Sequence, residues 1–161
     1  MDSKSARKRE VLALQVLGEQ LVGLTEEELQ TMELEERLFD AVIAARKIKS
    51  RGALRRQCQL IGKLMKNVDP DPIRLALNEI QRQARTEKEI FRRAEYWRDR
   101  IVHDNHDALR EFFEVTGRAN DELSSLLQEY LASKGDSERM ALRRKLFRQV
   151  HEELTVQNSA C

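Results

Sequence analysis

Helix-breaking residues are scarce in this chain. Two prolines, Pro70 and Pro72, and six glycines serve 161 residues, so long stretches run without interruption, which favours an all-helical structure. Cysteine is limited to Cys58 and Cys161 with no CxxC or Cys/His spacing, which argues against a zinc site and a disulfide framework. No apolar run approaches the roughly 18 residues that span a membrane, and no secretory hydrophobic segment follows Met1. No GxxxxGK or glycine-rich phosphate loop occurs, so nucleotide hydrolysis has no support. The expectation is a reduced, cytoplasmic protein with no cofactor, no metal and no catalytic residue.

The most informative absence is local. From Ala41 to Val68 there is no Asp or Glu, while Arg46, Lys47, Lys49, Arg51, Arg55, Arg56, Lys63 and Lys66 carry +8, although the whole chain sums to only +1. A block of one sign repels itself unless an anion neutralises it, and nucleic acid is the commonest anionic polymer in a cell. The flanking segment 25–40 carries −6; it can dock on the basic block or suppress indiscriminate binding.

Apolar spacing divides the chain into helices. Ser3 or Ser5 caps a first helix with Leu14, Leu17, Leu21 and Leu24 on one face. Thr25 and Glu28 form a capping box for a short helix from 26 to about 32. A third helix runs from about Leu34 to Lys49, with Leu34, Leu38, Ala41, Ala45 and Ile48 on one stripe and Phe39 and Ile43 on another. A fourth spans roughly Ala53 to Asn67. There Leu54, Cys58, Ile61 and Met65, widened by Leu60 and Leu64, form the apolar arc, and Leu60, Ile61, Leu64 and Met65 are expected in the core. Arg55, Arg56, Gln59, Gly62, Lys63 and Lys66 share the opposite arc of about 120°.

Asp69-Pro70-Asp71-Pro72 stops one helix and starts another, with Asp71 as cap and Pro72 in the first turn. The new helix runs to about His103 with apolar sets Ile73, Leu77, Ile80, Ala84 and Ile90, Ala94, Trp97, Ile101, separated by the polar stretch Gln81–Glu89. A helix polar all round in its middle bridges two packed ends. Asp104 to Asp107 breaks it, and a short segment with Leu109, Phe112 and Phe113 ends at Gly117. Helices from about Asn120 to Ser133 (Leu123, Leu126, Leu127, Leu131) and from Ser137 to Leu154 follow. The expected fold is all-α, two small helical lobes joined by a long spine helix: an N-terminal lobe 1–84 with the basic face, a C-terminal lobe 85–155 and a frayed tail 156–161.

Several residues invite a functional reading. The basic arc lacks acids for ion pairs within its own helix, unlike a solubilising face of mixed sign. Gly62 removes a side chain inside that arc, where a phosphate or another backbone can come close. Gln59 can bond a base edge or a 2′-hydroxyl. A second basic patch, Arg139, Arg143, Arg144, Lys145 and Arg148, fits a solvated face as well as an RNA contact. His103 and His106 read as residues of a helix end rather than metal ligands, Cys58 as a small buried residue, and Trp97 as core.

The run RRQCQLIGKLMKNVDPDPIRLAL, Arg55 to Leu77, resembles the signature stretch of the bacterial dual-action ribosomal maturation protein family, also called DarP or YjgA. SKSARKR at Ser3 to Arg9, Leu17-Gly18 and WRDRI at Trp97 to Ile101 match the same family. The resemblance implies a non-enzymatic all-helical factor that binds late large (50S) subunit precursors through 23S rRNA and helps the peptidyl transferase region mature. It implies no membrane and no small-molecule substrate. Positions matching its motifs that could touch RNA are Lys4, Lys8, Arg9, Arg55, Arg56, Gln59, Gly62, Lys63, Lys66 and Arg74. Family members commonly carry an acidic extension before the SKS motif, where the sequence here reads Met1-Asp2, so no role that needs the extension is expected, and DELSSLLQEYLAS at Asp121 to Ser133 lacks basic residues that relatives can show. Two other readings remain: a helical protein–protein adaptor using the acidic segment 25–40, and, third, a duplex-DNA regulator whose Gly52 or Pro70 break imitates a helix-turn-helix.

Overall fold

The computed structural model describes residues 4–160, and every regular element among them is helical. In chain order these are α1 (Lys4–Val22), α2 (Glu26–Gln30), α3 (Glu36–Lys47), α4 (Arg51–Leu64) with a 3₁₀ turn (Met65–Asn67), α5 (Pro70–Thr116), α6 (Asp121–Ala132) and α7 (Asp136–Ser159). Contacts divide the chain into two compact units, the first ending at Arg82 and the second beginning at Gln83. Both lie partly on α5, whose residues from Gln81 to Glu89 are almost all exposed and belong to neither core.

The first unit packs α1, α3, α4 and the start of α5 around Leu17, Leu21, Leu38, Val42, Ile61, Met65, Ile73 and Leu77. Local chemistry sets its corners. Thr25 accepts from the Glu28 amide at 3.2 Å while the Glu28 carboxylate accepts from the Thr25 amide at 2.7 Å, the reciprocal capping box read from the sequence. Ser5 lies inside α1 rather than ahead of it, and Ser3, the other expected cap, lies outside the described residues. α5 opens two residues earlier than expected. Asp69, not Asp71, is the cap, its carboxylate accepting from the Asp71 amide at 3.0 Å, and Pro70 takes the first helical position, where its missing N–H costs nothing.

The second unit surrounds Trp97, Ile101, Phe112, Leu123, Leu127, Leu146, Val150 and Leu154 with α5, α6 and α7. Asn105 breaks α5 with φ 55° and ψ −124°, as the Asp104–Asp107 run suggested. Arg100 spans this break, bonding Glu111 at 2.7 Å and Asp104 at 3.5 Å while its guanidinium lies 5.3 Å from the Trp97 ring centre. Gly117, at φ 76°, ends α5 in the left-handed conformation that suits glycine. Asn120 caps α6 by accepting from Leu123 N at 3.0 Å and also donates to Glu153 of α7 at 2.6 Å.

Four further expectations need correction. Leu60 and Leu131 are 45% and 46% exposed, because each sits at the edge of its apolar arc, and Ala84 is exposed in the polar middle of α5. The tail is helical to Ser159 rather than frayed from 156. Gln157 there donates to the Val115 carbonyl at 2.9 Å, tying the end of α7 to α5 through a polar contact that apolar periodicity cannot reveal.

Candidate nucleic-acid interface

α4 is held on two sides, which decides where its charges point. Toward α1, Ile61 and Met65 are fully buried, and Gly18 brings the α1 backbone so close that a Cβ there would lie 2.7 Å from Ile61 Cγ2. Toward α3, the Gln57 side chain donates to the Ala41 carbonyl at 2.9 Å. With these two faces occupied, Arg55, Arg56, Gln59, Lys63 and Lys66 are left exposed on the remaining side.

Their electrostatic state is uniform. None of the eight cations from Arg46 to Lys66 forms an ion pair among the described residues, whereas Arg98, Arg100, Arg118 and Arg143 of the second unit are all paired. The acidic segment does not neutralise them either. Glu26, Glu27 and Glu28 occupy the first turn of α2, where the positive end of the helix favours them. Glu19, an acid that faces α4 from α1, accepts from Gln15 at 3.0 Å. It lines a shallow groove of about 480 Å³ between α1 and α4, together with Arg51, Arg55, Cys58 and Gln59.

The other expected contacts distribute unevenly. Lys4, Lys8 and Arg9 are exposed on the first turns of α1, also without ion pairs among the described residues. Arg74 is exposed on α5 and pairs with Asp71 at 3.4 Å, so it offers less unsatisfied charge. Gly62 is not open to solvent as the helical wheel implies. It is half-buried, and a Cβ there would meet Gln15 of α1 at 3.7–3.8 Å, so the close approach at this position is helix on helix. Arg46, Lys47, Lys49 and Arg51, exposed around the α3–α4 corner, are the residues that a single-helix wheel omits. The run of like charge was the signal for them.

Cys58 is partly buried, and burial together with the nearby Glu19 pushes its thiol up, which leaves it a poor nucleophile. Trp97 is 6% exposed and stacks edge-on against Phe112 at 5.3 Å, a core residue as read. His103 bonds Asp104 at 2.7 Å. Among the described residues no group of three His, Cys, Asp or Glu is placed to hold a metal, and no helix is long and apolar enough to cross a membrane.

A family model described as the dual-action ribosomal maturation protein DarP matches residues 1–152. A protein of that name from Thiobacillus denitrificans is 48% identical over 112 residues, covering 70% of this chain and 63% of its own length. One from Idiomarina loihiensis is 46% identical over 113 residues, covering 70% and 66%. The chain thus spans less than two thirds of those two relatives. One from Chromobacterium violaceum is 36% identical over 149 residues, covering 92% of this chain and 82% of its own length.

Proposed function

Because the chain belongs to the dual-action ribosomal maturation protein DarP family, we propose that it is a ribosome-assembly factor. It binds late large-subunit precursors through 23S rRNA and promotes maturation of the peptidyl transferase region, acting in the cytoplasm by binding alone, without catalysis. The observation that carries this reading is the exposed side of α4 and its 3₁₀ turn, where Arg55, Arg56, Lys63 and Lys66 stand together with no carboxylate partner among the described residues. Gln59 lies among them as a neutral hydrogen-bonding group, and Lys4, Lys8, Arg9 and Arg74 add charge from α1 and α5.

Such a face replaces counterions along an A-form phosphate backbone and so favours one local rRNA arrangement over others. Shape and phosphate contacts dominate, because the deep, narrow major groove of A-form RNA is closed to side chains. The two lobes divide the work, the first carrying the basic face. The adaptor reading through 25–40 is weaker, since Glu28 of that segment is engaged in capping α2.

The test is sedimentation of the full chain with ribosomal particles on a gradient, comparing wild type with a variant in which Arg55, Arg56, Lys63 and Lys66 are all Gln. Wild type is expected to travel with large-subunit precursors. The variant should leave them while keeping its helical circular dichroism, and its RNA affinity should lose about 0.7–0.9 of log–log salt slope per phosphate contact removed. A variant that co-sediments like wild type, with an unchanged salt slope, refutes the α4 face.

A further inference from the structure

The second unit has its own basic surface, built differently. Between α5 and α7 lies a groove of about 880 Å³ whose floor is apolar, formed by Phe91, Met140 and Phe147. Its rim carries Arg98, Arg143, Arg144, Lys145 and Arg148. Phe91 is 48% and Met140 62% exposed, so the floor is presented to solvent rather than filled by the protein. The Phe91 ring is fixed from one side, meeting Phe147 edge-on at 5.0 Å and His151 at 6.5 Å.

The rim divides by charge. Asp99 accepts from Arg98 at 2.9 Å and from Arg143 at 2.7 Å, so those two share one carboxylate. Arg144, Lys145 and Arg148 have no ion pair among the described residues. Lys145 and Arg148 also border a second groove with Glu122, Glu129 and Glu152, while Arg144 faces the aromatic groove alone. An immobilised aromatic ring beside unneutralised cations matches the two chemical parts of an unpaired nucleotide, a flat apolar base and an anionic phosphate. An acidic amphipathic peptide needs apolar anchors repeated along several helical turns, and the floor here is only three side chains.

We propose that this groove binds an unpaired stretch of RNA, stacking a base on Phe91 and holding the adjoining phosphates with Arg144, Lys145 and Arg148. The inference rests on the reading that the protein works on RNA, and it assigns the second unit a different substrate feature, a strand outside a helix. α4 offers charge without an aromatic platform and suits duplex backbone; the α5–α7 groove suits exposed bases.

The experiment uses the full chain, a fluorescein-labelled single-stranded oligoribonucleotide of mixed sequence, and the same backbone made abasic, with binding followed by anisotropy. Wild type is expected to prefer the strand that carries bases. Phe91→Ala should lose about 5- to 150-fold of that preference, the range for one stacked base, with its salt slope intact. Phe91→Leu, which keeps apolar bulk without a flat face, should behave like Ala, and Phe91→Trp should restore stacking. Changing Arg144, Lys145 and Arg148 to Gln should instead lower the salt slope by about 2 on both probes. Phe91 variants that melt like wild type yet keep the full preference for bases overturn the proposal. So does Phe91-dependent binding of an acidic amphipathic peptide with RNA binding indifferent to Phe91. The four-residue α4 variant, run in parallel on a double-stranded oligoribonucleotide, separates the two readings: if it loses duplex affinity while the Phe91 variants keep the preference for bases, only the groove assignment fails; if the Phe91 variants lose that preference while it binds duplex like wild type, only the α4 face fails.

Discussion

Two glycines on one helix pair should respond unequally to the same substitution. Gly18 of α1 and Gly62 of α4 both lie within helices, where Ala is intrinsically favoured by about 1 kcal/mol. At Gly62 the new methyl would sit 3.7–3.8 Å from Gln15, ordinary van der Waals contact, so Gly62→Ala is expected to stabilise by roughly 0.5–1 kcal/mol. At Gly18 it would sit 2.7 Å from Ile61 Cγ2 and 3.4 Å from Met65 Cγ. Ile61 is β-branched and Met65 packs beside it, both fully buried, so neither yields cheaply. Overpacking of this kind costs roughly 1–3 kcal/mol, which cancels or exceeds the propensity gain. The two variants should therefore differ by about 1–3 kcal/mol. With a urea slope of about 2 kcal/mol/M this separates their denaturation midpoints, read by circular dichroism, by roughly 0.5–1.5 M. Adding Ile61→Ala removes the clashing methyl, so the double variant should show favourable coupling with Gly18→Ala. A Gly18→Ala midpoint at or above that of Gly62→Ala refutes the close packing of α1 on α4. Particle binding by Gly62→Ala should be unimpaired, because Gln15 already occupies the space above it.

Ile61→Ala alone should cost about 2–5 kcal/mol, while its neighbour Leu60→Ala, at a half-exposed site, should stay within about 0.5 kcal/mol; urea titration distinguishes them. Asn105→Gly should raise the melting temperature, since glycine adopts φ 55°, ψ −124° without the roughly 1–3 kcal/mol strain of a side chain, and the buried, unpartnered Asn105 Oδ1 is removed with it. Asn105→Ala keeps a Cβ in that conformation and should not. Arg98 and Arg143 hold the Asp99 carboxyl below its usual range, and Arg100 does the same for Glu111. A carboxylate depressed on folding contributes stability that is complete above its unfolded pKa and lost as pH falls through the folded value. Thermal melts should therefore be flat near neutrality and fall below about pH 4, and Glu111→Gln should flatten part of that decline.

The parts of the fold that were legible in the sequence are those with short-range causes. Thr25 and Glu28 are three residues apart and specify their own hydrogen bonds, and the polar stretch Gln81–Glu89 marks where neither core reaches. The basic arc of α4 was legible because 3.6-residue periodicity and the absence of acids are both local. What escaped depends on neighbours distant in sequence. A helical wheel ranks Gly62 with the charges, yet α1 packs over it, and nothing near position 62 announces Gln15. Leu60 carries an apolar side chain at an angle that neither α1 nor α3 covers. The Gln57 bond to Ala41 and the Gln157 bond to Val115 involve polar residues whose partners are fixed only by tertiary packing. The aromatic groove of the second unit was half visible, since the cations from Arg139 to Arg148 were identifiable, but Phe91 joins them only when α5 and α7 meet.

α1 begins with an electrostatic conflict. Its first turn contains no acid, and Lys4, Arg7, Lys8 and Arg9 crowd the end where the backbone N–H groups already present partial positive charge. Each cation there is unfavourable by a few tenths of a kcal/mol, and the turn is exposed, with little packing to offset it. A bound phosphate adds an attraction to each of these cations and to the free backbone N–H groups, offsetting the repulsion among them. Ligand occupancy and local helix stability are therefore thermodynamically linked, and each must raise the other by the same factor. Amide hydrogen exchange would register this directly, with protection of residues 7–12 rising with polyanion concentration and falling with added salt.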